Sequence, residues 1–150
     1  MVAPSFGAVA ARPSSPAASS VSYGPSCPSR PGRPACRTDR VVGAWELWWE
    51  DEDAWGPQPP TAGYVHRLMV DHSSVPPGTG LQLLRVAERR VAEAGLPLVR
   101  LDCLAGNERL NAYYLNAGYQ VAGRKEGKPQ PGGTPKSFTL LEKSMRDSGA

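Results

Sequence analysis

The stretch from Tyr64 to Gly95 constrains the fold most. Tyr64-Val-His-Arg-Leu-Met-Val70 is apolar and β-branched enough for a buried strand. Asp71 to Pro77 is loop chemistry, and Gly78-Thr-Gly80 then opens a helix. Within that helix Leu84, Ala87, Val91 and Ala94 recur at spacings of three and four on one face, with Gln82, Arg85, Arg89 and Glu93 on another. Gly95 stands where a C′ glycine belongs, and Pro97 follows closely. Leu98-Val-Arg-Leu-Asp-Cys-Leu104 reads as the next strand. Strand, helix and strand in this order make a βαβ unit, hence parallel neighbours joined by a right-handed crossover. A helix start flanked by glycines presents unpaired N–H groups and the positive end of the helix dipole, which suits an anion such as phosphate. A plain strand–loop–helix connection accounts for the same residues, because many helices begin with glycine and bind nothing.

The flanks extend this unit. Val41-Val-Gly-Ala-Trp-Glu-Leu-Trp-Trp49 has the β-branched and aromatic content of a strand. Glu50-Asp-Glu-Asp53 and Gly56-Pro57 end it in a charged turn, read as solvated rather than as an attractor for a cationic amine. Downstream, Asn107 caps a second helix running to Ala117, and Gly118 ends it. Tyr119 to Ala122 is a further strand, Gly123 to Pro135 a loop, and Ser137 to Lys143 the final strand. Residues 1 to 40 are dominated by Pro, Ser, Ala and Gly without helical or strand periodicity, so disorder is expected there. A signal peptide does not fit, since Phe6 to Ala11 is too short an apolar region and no basic residue precedes it. The expected division is a disordered segment 1–40, a folded domain 41–145 and a tail 146–150. The 150 residues leave room for one domain with its own core.

Composition narrows the class of function. A hydrophobic content of 40%, with no apolar run of membrane-spanning length, argues for a soluble protein with no membrane partner. The net charge is +3, but four arginines before Asp39 carry +4, which leaves the rest at −1. The basic balance therefore gives no argument for a nucleic-acid partner of the folded part. Cys27, Cys36 and Cys103 lack metal-ligand spacing, so reduced thiols in a cytoplasmic protein, and no metal, are the expectation.

Val42-Gly43, Leu47-Trp-Trp-Glu-Asp51 with Trp55-Gly56, and His66-Arg-Leu-Met-Val70 are followed in order by Gly78-Thr-Gly80, Leu101-Asp-Cys103 and Asn107. Tyr113-Tyr114 and Ala117-Gly118-Tyr119 complete the series. In this order and spacing, from Val41 to about Met145, the chain resembles the GNAT superfamily of N-acetyltransferases, which use acetyl-coenzyme A. The resemblance implies an α/β fold with a mixed sheet, of the acyl-CoA N-acyltransferase type. It implies that the Tyr64 and Leu98 strands splay, with the pantetheine arm pairing against the backbone of Leu68-Met69-Val70. The pyrophosphate would meet Gly78, Thr79, Gly80 and Leu81, with Val75 in the loop before them and Asn107 beside the pantetheine. Tyr114, seven residues beyond Asn107, matches the tyrosine that protonates the departing thiolate. The acceptor is implied to be a primary amine of a small molecule or peptide.

Two departures from the family pattern concern the phosphate loop. Val75 stands where an Arg or Gln is usual, and Pro76 and Pro77 have no N–H to donate. The anion site is then expected to be small and without a nearby basic side chain. The resemblance also implies an N-terminally incomplete domain, because a strand, two helices and another strand are replaced by residues 1–40. Val41 to Trp49 would then be a bare aromatic edge through which two copies pair as a homodimer.

Roles for single residues remain open at this point. His66, alternating with Tyr64 and Leu68 on one side of its strand, is a candidate base, as are Glu50 and Asp51; a structural histidine is the alternative. Tyr114 is the candidate acid, against a core aromatic, while Tyr113, Asp102 and Cys103 read as packing and local hydrogen bonding. Other functions compete. A catalytically impaired acyl-CoA-binding remnant keeps the same motifs. A dinucleotide-binding oxidoreductase fragment would use Gly78-Thr-Gly80 and Asp102, but Leu83 replaces its third glycine and the loop before it is long.

Overall fold

The computed structural model describes residues 17–22 and 41–146. They form one six-stranded mixed sheet in the order β1-β2-β3-β4-β6-β5. Its strands are β1 (Ala17–Ser22), β2 (Val41–Trp48), β3 (Ala62–Val70), β4 (Leu98–Leu104), β5 (Gln120–Gln130) and β6 (Gly133–Ser144). The helices are α1 (Glu52–Trp55), α2 (Thr79–Glu93) and α3 (Glu108–Asn116). β3 and β4 are parallel with α2 between them in the chain, as the glycine and hydrophobic pattern predicts. The other neighbouring strands run antiparallel.

Alternation along the strands sorts the side chains onto two faces. On one face Trp45, Leu47, Val65, Val99, Leu101, Cys103 and Leu141 join Leu84, Ala87 and Val91 of α2 and Tyr114 of α3 in a single core. Leu84 and Val91 are fully buried, each worth about 1.5–3 kcal/mol by apolar area. α2 lies close to the sheet because the residues beneath it lack side chains. A Cβ on Gly63 would collide with Val91, and one on Gly43 with Leu83. The stripe ends one residue earlier than its periodicity suggests, since Ala94 is the exposed C-cap.

The other face carries polar residues under α1. Arg100 donates to Glu142 Oε2 (2.7 Å), Tyr64 Oη (3.0 Å) and Gln58 Oε1 (3.3 Å), and its guanidinium lies 4.8 Å from the Trp55 ring. This network holds the loop after β2 against the sheet. Asp51 fixes the loop's start, accepting the Ala54 amide at 3.2 Å as N-cap of α1.

Several expectations are corrected. Ala17–Ser22 lies within the segment expected to be disordered, yet it is a strand antiparallel to β2. A backbone ladder satisfies main-chain groups whatever the propensity of the side chains, so a Ser- and Ala-rich run serves. The bare edge expected at Val41 to Trp49 is thereby covered, which removes the premise for pairing two copies there. The rest of the 1–40 segment, with Cys27 and Cys36, and most of the expected tail lie outside the described residues. The loop expected at Gly123 to Pro135 is instead most of a long β5–β6 hairpin. Register shifts in that hairpin absorb its glycines and Pro129.

Candidate active site

β3 and β4 are in register at only three pairs, Ala62↔Leu98, Gly63↔Val99 and Tyr64↔Arg100, and then separate. The departure coincides with a bulge. Arg67 has φ 49°, alone among the described non-glycine residues in being positive, and the β2–β3 register slips between Ala44 and Glu46. Such a conformation costs on the order of 1–3 kcal/mol and persists only where surroundings impose it. Here the β2–β3 ladder on either side of the slip imposes it, and the exposed Arg67 guanidinium pairs with Glu46 at 2.8 Å. The bulge also resets the alternation of β3. Leu68 and Val70 pack toward the core with Val65, not on the side of Tyr64 and His66 as strict alternation predicts. The gap holds a cavity of about 200 Å³, lined by Val65 to Leu68, by Leu101 to Cys103, and by Leu110 and Tyr114 of α3.

A larger groove of about 660 Å³ adjoins this gap, sharing Leu68, Leu110 and Tyr114 with it. It runs to the start of α2, where Gly78 is a left-handed N-cap with φ 89° and carries no side chain to shield the first amides. Of the residues singled out for cofactor binding, Leu68, Val70, Gly78, Thr79, Gly80, Asn107 and Tyr114 line this groove. Met69 turns to solvent, Leu81 packs against the core, and Val75 sits in the loop before α2. Asn107 Oδ1 accepts the Leu110 amide at 3.0 Å, so that side chain caps α3. The expectation of no nearby basic side chain is corrected, because His72 and Arg109 are on the groove wall. The signal for Arg109 was available: four residues before Tyr113, it shares that face of the helix.

On the opposite face of the sheet, Asp51, His66 and Asp102 converge at the gap, each offering an atom within 4.8 Å of the others. His66 Nε2 lies 3.2 Å from Asp51 Oδ2, a contact that is not a well-aligned hydrogen bond, and both atoms are sealed from solvent. Trp48 leans on the imidazole with ring centroids 4.9 Å apart. Asp51 was expected in a solvated turn, but its side chain is only 7% exposed. Burial pushes its carboxyl up; His66, the Ala54 amide and the charge of Lys128 more than offset this and leave it below its ordinary value. The set is spaced for a divalent cation, but the positive charge it holds is the Lys128 ammonium, 3.2 Å from Asp102 Oδ2. Asp102, read from sequence as local packing, thus faces the gap.

Tyr114 stands at the junction of groove and gap and is buried. Burial, then Cys103, Tyr113 and Asp102, push its hydroxyl up to about 12, so it holds its proton throughout the neutral range. Cys103 lines the same gap with its thiol pushed up to about 11 by burial and then by Asp102, which keeps it a protonated, poor nucleophile. Tyr113 is more than a packing residue. It is partly exposed, on the groove wall, with its hydroxyl close above Gly80.

Residues 17–119 match the family model described as the Acetyltransferase (GNAT) family. The chain is 33% identical over 60 residues to the uncharacterized N-acetyltransferase YesJ of Bacillus subtilis. That match covers 40% of this chain and 33% of YesJ, so the chain spans about a third of that relative's length. Among solved structures, a GNAT-family acetyltransferase from Listeria monocytogenes aligns with a TM-score of 0.58 and 28% identity over 71% of this chain and 59% of its own. A GNAT-family acetyltransferase from Elizabethkingia anophelis, solved with acetyl-CoA bound, aligns with a TM-score of 0.58 and 14% identity, covering 73% of this chain and 72% of that one.

Proposed function

The chain belongs to the GNAT acetyltransferase family, and from that premise we propose that it moves an acetyl group from acetyl-CoA to a primary amine of a small molecule or peptide by direct attack. The observation that carries this reading is the gap between β3 and β4, reached from the groove on one face and from His66, Asp51 and Asp102 on the other. The residues present fit the donor. Leu68 and Val70 border the gap on an edge that β4 leaves unpaired, and the amides of Gly78 and Gly80 meet an anion at the positive end of α2, the Thr79 amide being held by the Pro76 carbonyl. Arg109 and His72 supply the side-chain donors that Val75-Pro76-Pro77 do not.

His66, beside Asp51, takes a proton from the acceptor ammonium. The freed lone pair forms the N–C bond at the thioester carbonyl. The C–S bond then breaks, the Tyr114 hydroxyl gives its proton to the departing thiolate, and the new amide nitrogen releases its second proton to solvent. A phenol kept protonated by burial is suited to that role, and its proton is replaced from solvent between turnovers. The buried thiol of Cys103 fits a reducing, cytoplasmic setting. Among the described residues, no helix is long and apolar enough to cross a membrane. A dinucleotide-binding reading is disfavoured, because the α2 start lies on the helix-bearing groove whereas Asp102 points to the other face.

The test is thiol release over an amine panel. If Tyr114 is the acid, Tyr114→Phe lowers kcat about a hundredfold or more, with acetyl-CoA affinity in calorimetry nearly unchanged. Equal turnover by the Phe variant removes Tyr114 from the mechanism. Acetyl-CoA binding without turnover on any amine would favour the impaired remnant.

A further inference from the structure

We propose that Asp51, His66 and Asp102 bind a transition-metal dication of the zinc class, which holds the lone pair of His66 Nε2 and so withdraws the candidate base. The metal site stands apart from the acetyl-transfer reading; its inhibitory effect rests on that reading. The three side chains come from the loop after β2, from β3 and from β4, and each brings a ligand atom within 4.8 Å of the other two. His66 and Asp102 line the cavity of about 200 Å³ in the gap, which has room for an ion and a water. The central pair carries the argument. His66 Nε2 lies 3.2 Å from Asp51 Oδ2, yet the two are poorly aligned, and neither has a hydrogen-bond partner among the described residues. The Asp51 side chain is only 7% exposed, so its Oδ2 is a desolvated acceptor without a donor. Two ligands of one tetrahedral zinc, each about 2.0–2.1 Å from it, stand about 3.3 Å apart, with lone pairs that converge on the metal and not on each other. Both the spacing and the misalignment fit two ligands of a common ion.

The ligands are held in place from behind. Asp51 Oδ1 accepts the Ala54 amide at 3.2 Å, and the Trp48 ring leans on the imidazole with centroids 4.9 Å apart. Asp102 supplies the third protein ligand and water the fourth. An imidazole nitrogen in the set selects zinc, cobalt or nickel over magnesium and calcium, which take oxygen. Lys128 sets the threshold for binding. Its Nζ donates to Asp102 Oδ2 at 3.2 Å, and a quarter of its side chain is exposed. Two carboxylates and one ammonium leave a single negative charge beside the imidazole. A dication neutralises the set only if Lys128 swings out to solvent, so that ammonium is a tethered competitor.

Calorimetry with zinc chloride on the chelator-treated full chain, without acetyl-CoA, should show one equivalent bound, and magnesium chloride none. His66→Gln and Asp51→Asn should each weaken zinc binding about tenfold or more, and Lys128→Met should tighten it about fivefold. Circular dichroism confirms the fold of each variant. Cobalt(II) in place of zinc should give the visible bands of a four-coordinate nitrogen and oxygen site without thiolate charge transfer, which separates this site from the three cysteines. In the wild-type protein, nitrogen-15 NMR of the imidazoles should show His66 Nε2 shifted by zinc, a readout that depends on no variant. Absence of zinc binding, magnesium binding as tight as zinc, or an unmoved His66 nitrogen signal at saturation overturns the proposal. Acetyl transfer, followed by the mass of the acetylated amine, should fall about tenfold or more at saturating zinc. Absence of transfer before zinc is added counts against the acetyl-transfer reading, while calorimetry and the nitrogen signal still decide the metal site.

Discussion

Asp51 shows how one residue joins folding to chemistry. Its Oδ1 caps α1 while its Oδ2 lies 3.2 Å from His66 Nε2, so helix geometry sets the place of a carboxylate beside the imidazole. Because its carboxyl is lowered in the fold, the unfolded chain binds more protons on the acid side. Its stabilising effect is then complete above the ordinary value of 3.8 and is lost as pH falls below it toward the lowered one. Asp51→Asn should flatten the rise of stability with pH across that acid window, as read by urea melts at a series of pH values. A slope equal to wild type would show that the carboxyl is not held low. The same residue marks a limit of sequence reading. Glu50-Asp-Glu-Asp53 looks like a solvated turn because nothing local says that Trp55 stacks on Arg100 and draws this loop onto the sheet. His66 was legible as a candidate through strand alternation, and Tyr114 through the family resemblance. Their convergence at one gap depends on the bulge at Arg67, for which the sequence carries no signal.

Among the elements, α2 is pinned by a buried charge cluster that helical periodicity alone does not reveal. Glu88 is buried, accepts from Tyr119 Oη at 3.1 Å, and pairs with Arg85 and Lys143. It ties the helix to β6 and to the chain just beyond α3. Glu88→Ala leaves the Lys143 ammonium, 11% exposed, without its carboxylate, a loss of about 3–5 kcal/mol. Arg67→Ala, which breaks a pair whose arginine is 70% exposed, should cost under about 1 kcal/mol. Urea denaturation of the two variants checks the contrast, and equal losses would refute the weight placed on burial. β4 and the two longer helices were readable because apolar period, caps and C′ glycines agreed with one another. β5 was not. Its glycines, lysines and Pro129 resemble a loop, and only pairing with β6 makes it a strand.

At the scale of the whole molecule, the sheet is two three-stranded halves, β1-β2-β3 and β4-β6-β5, that meet along three register pairs. The parallel pair was legible from the βαβ unit and the mixed-sheet fold from the family resemblance, whereas the contribution of Ala17–Ser22 was hidden in a Pro- and Ser-rich composition. The unpaired edge of β3 now has a thermodynamic consequence. If the donor's amide arm completes that ladder, part of the sheet is built from a diffusible molecule, and stability becomes a function of its concentration. At a hundred times Kd the linkage adds about 2.7 kcal/mol. Amide hydrogen exchange in Val65 to Val70 should slow on adding acetyl-CoA, together with a dose-dependent rise in Tm. Unchanged exchange there under saturation would place the arm elsewhere. A protein stabilised in this way survives longest where its donor is plentiful, so the supply of acetyl-CoA would govern how much of the catalyst persists as well as how fast it works.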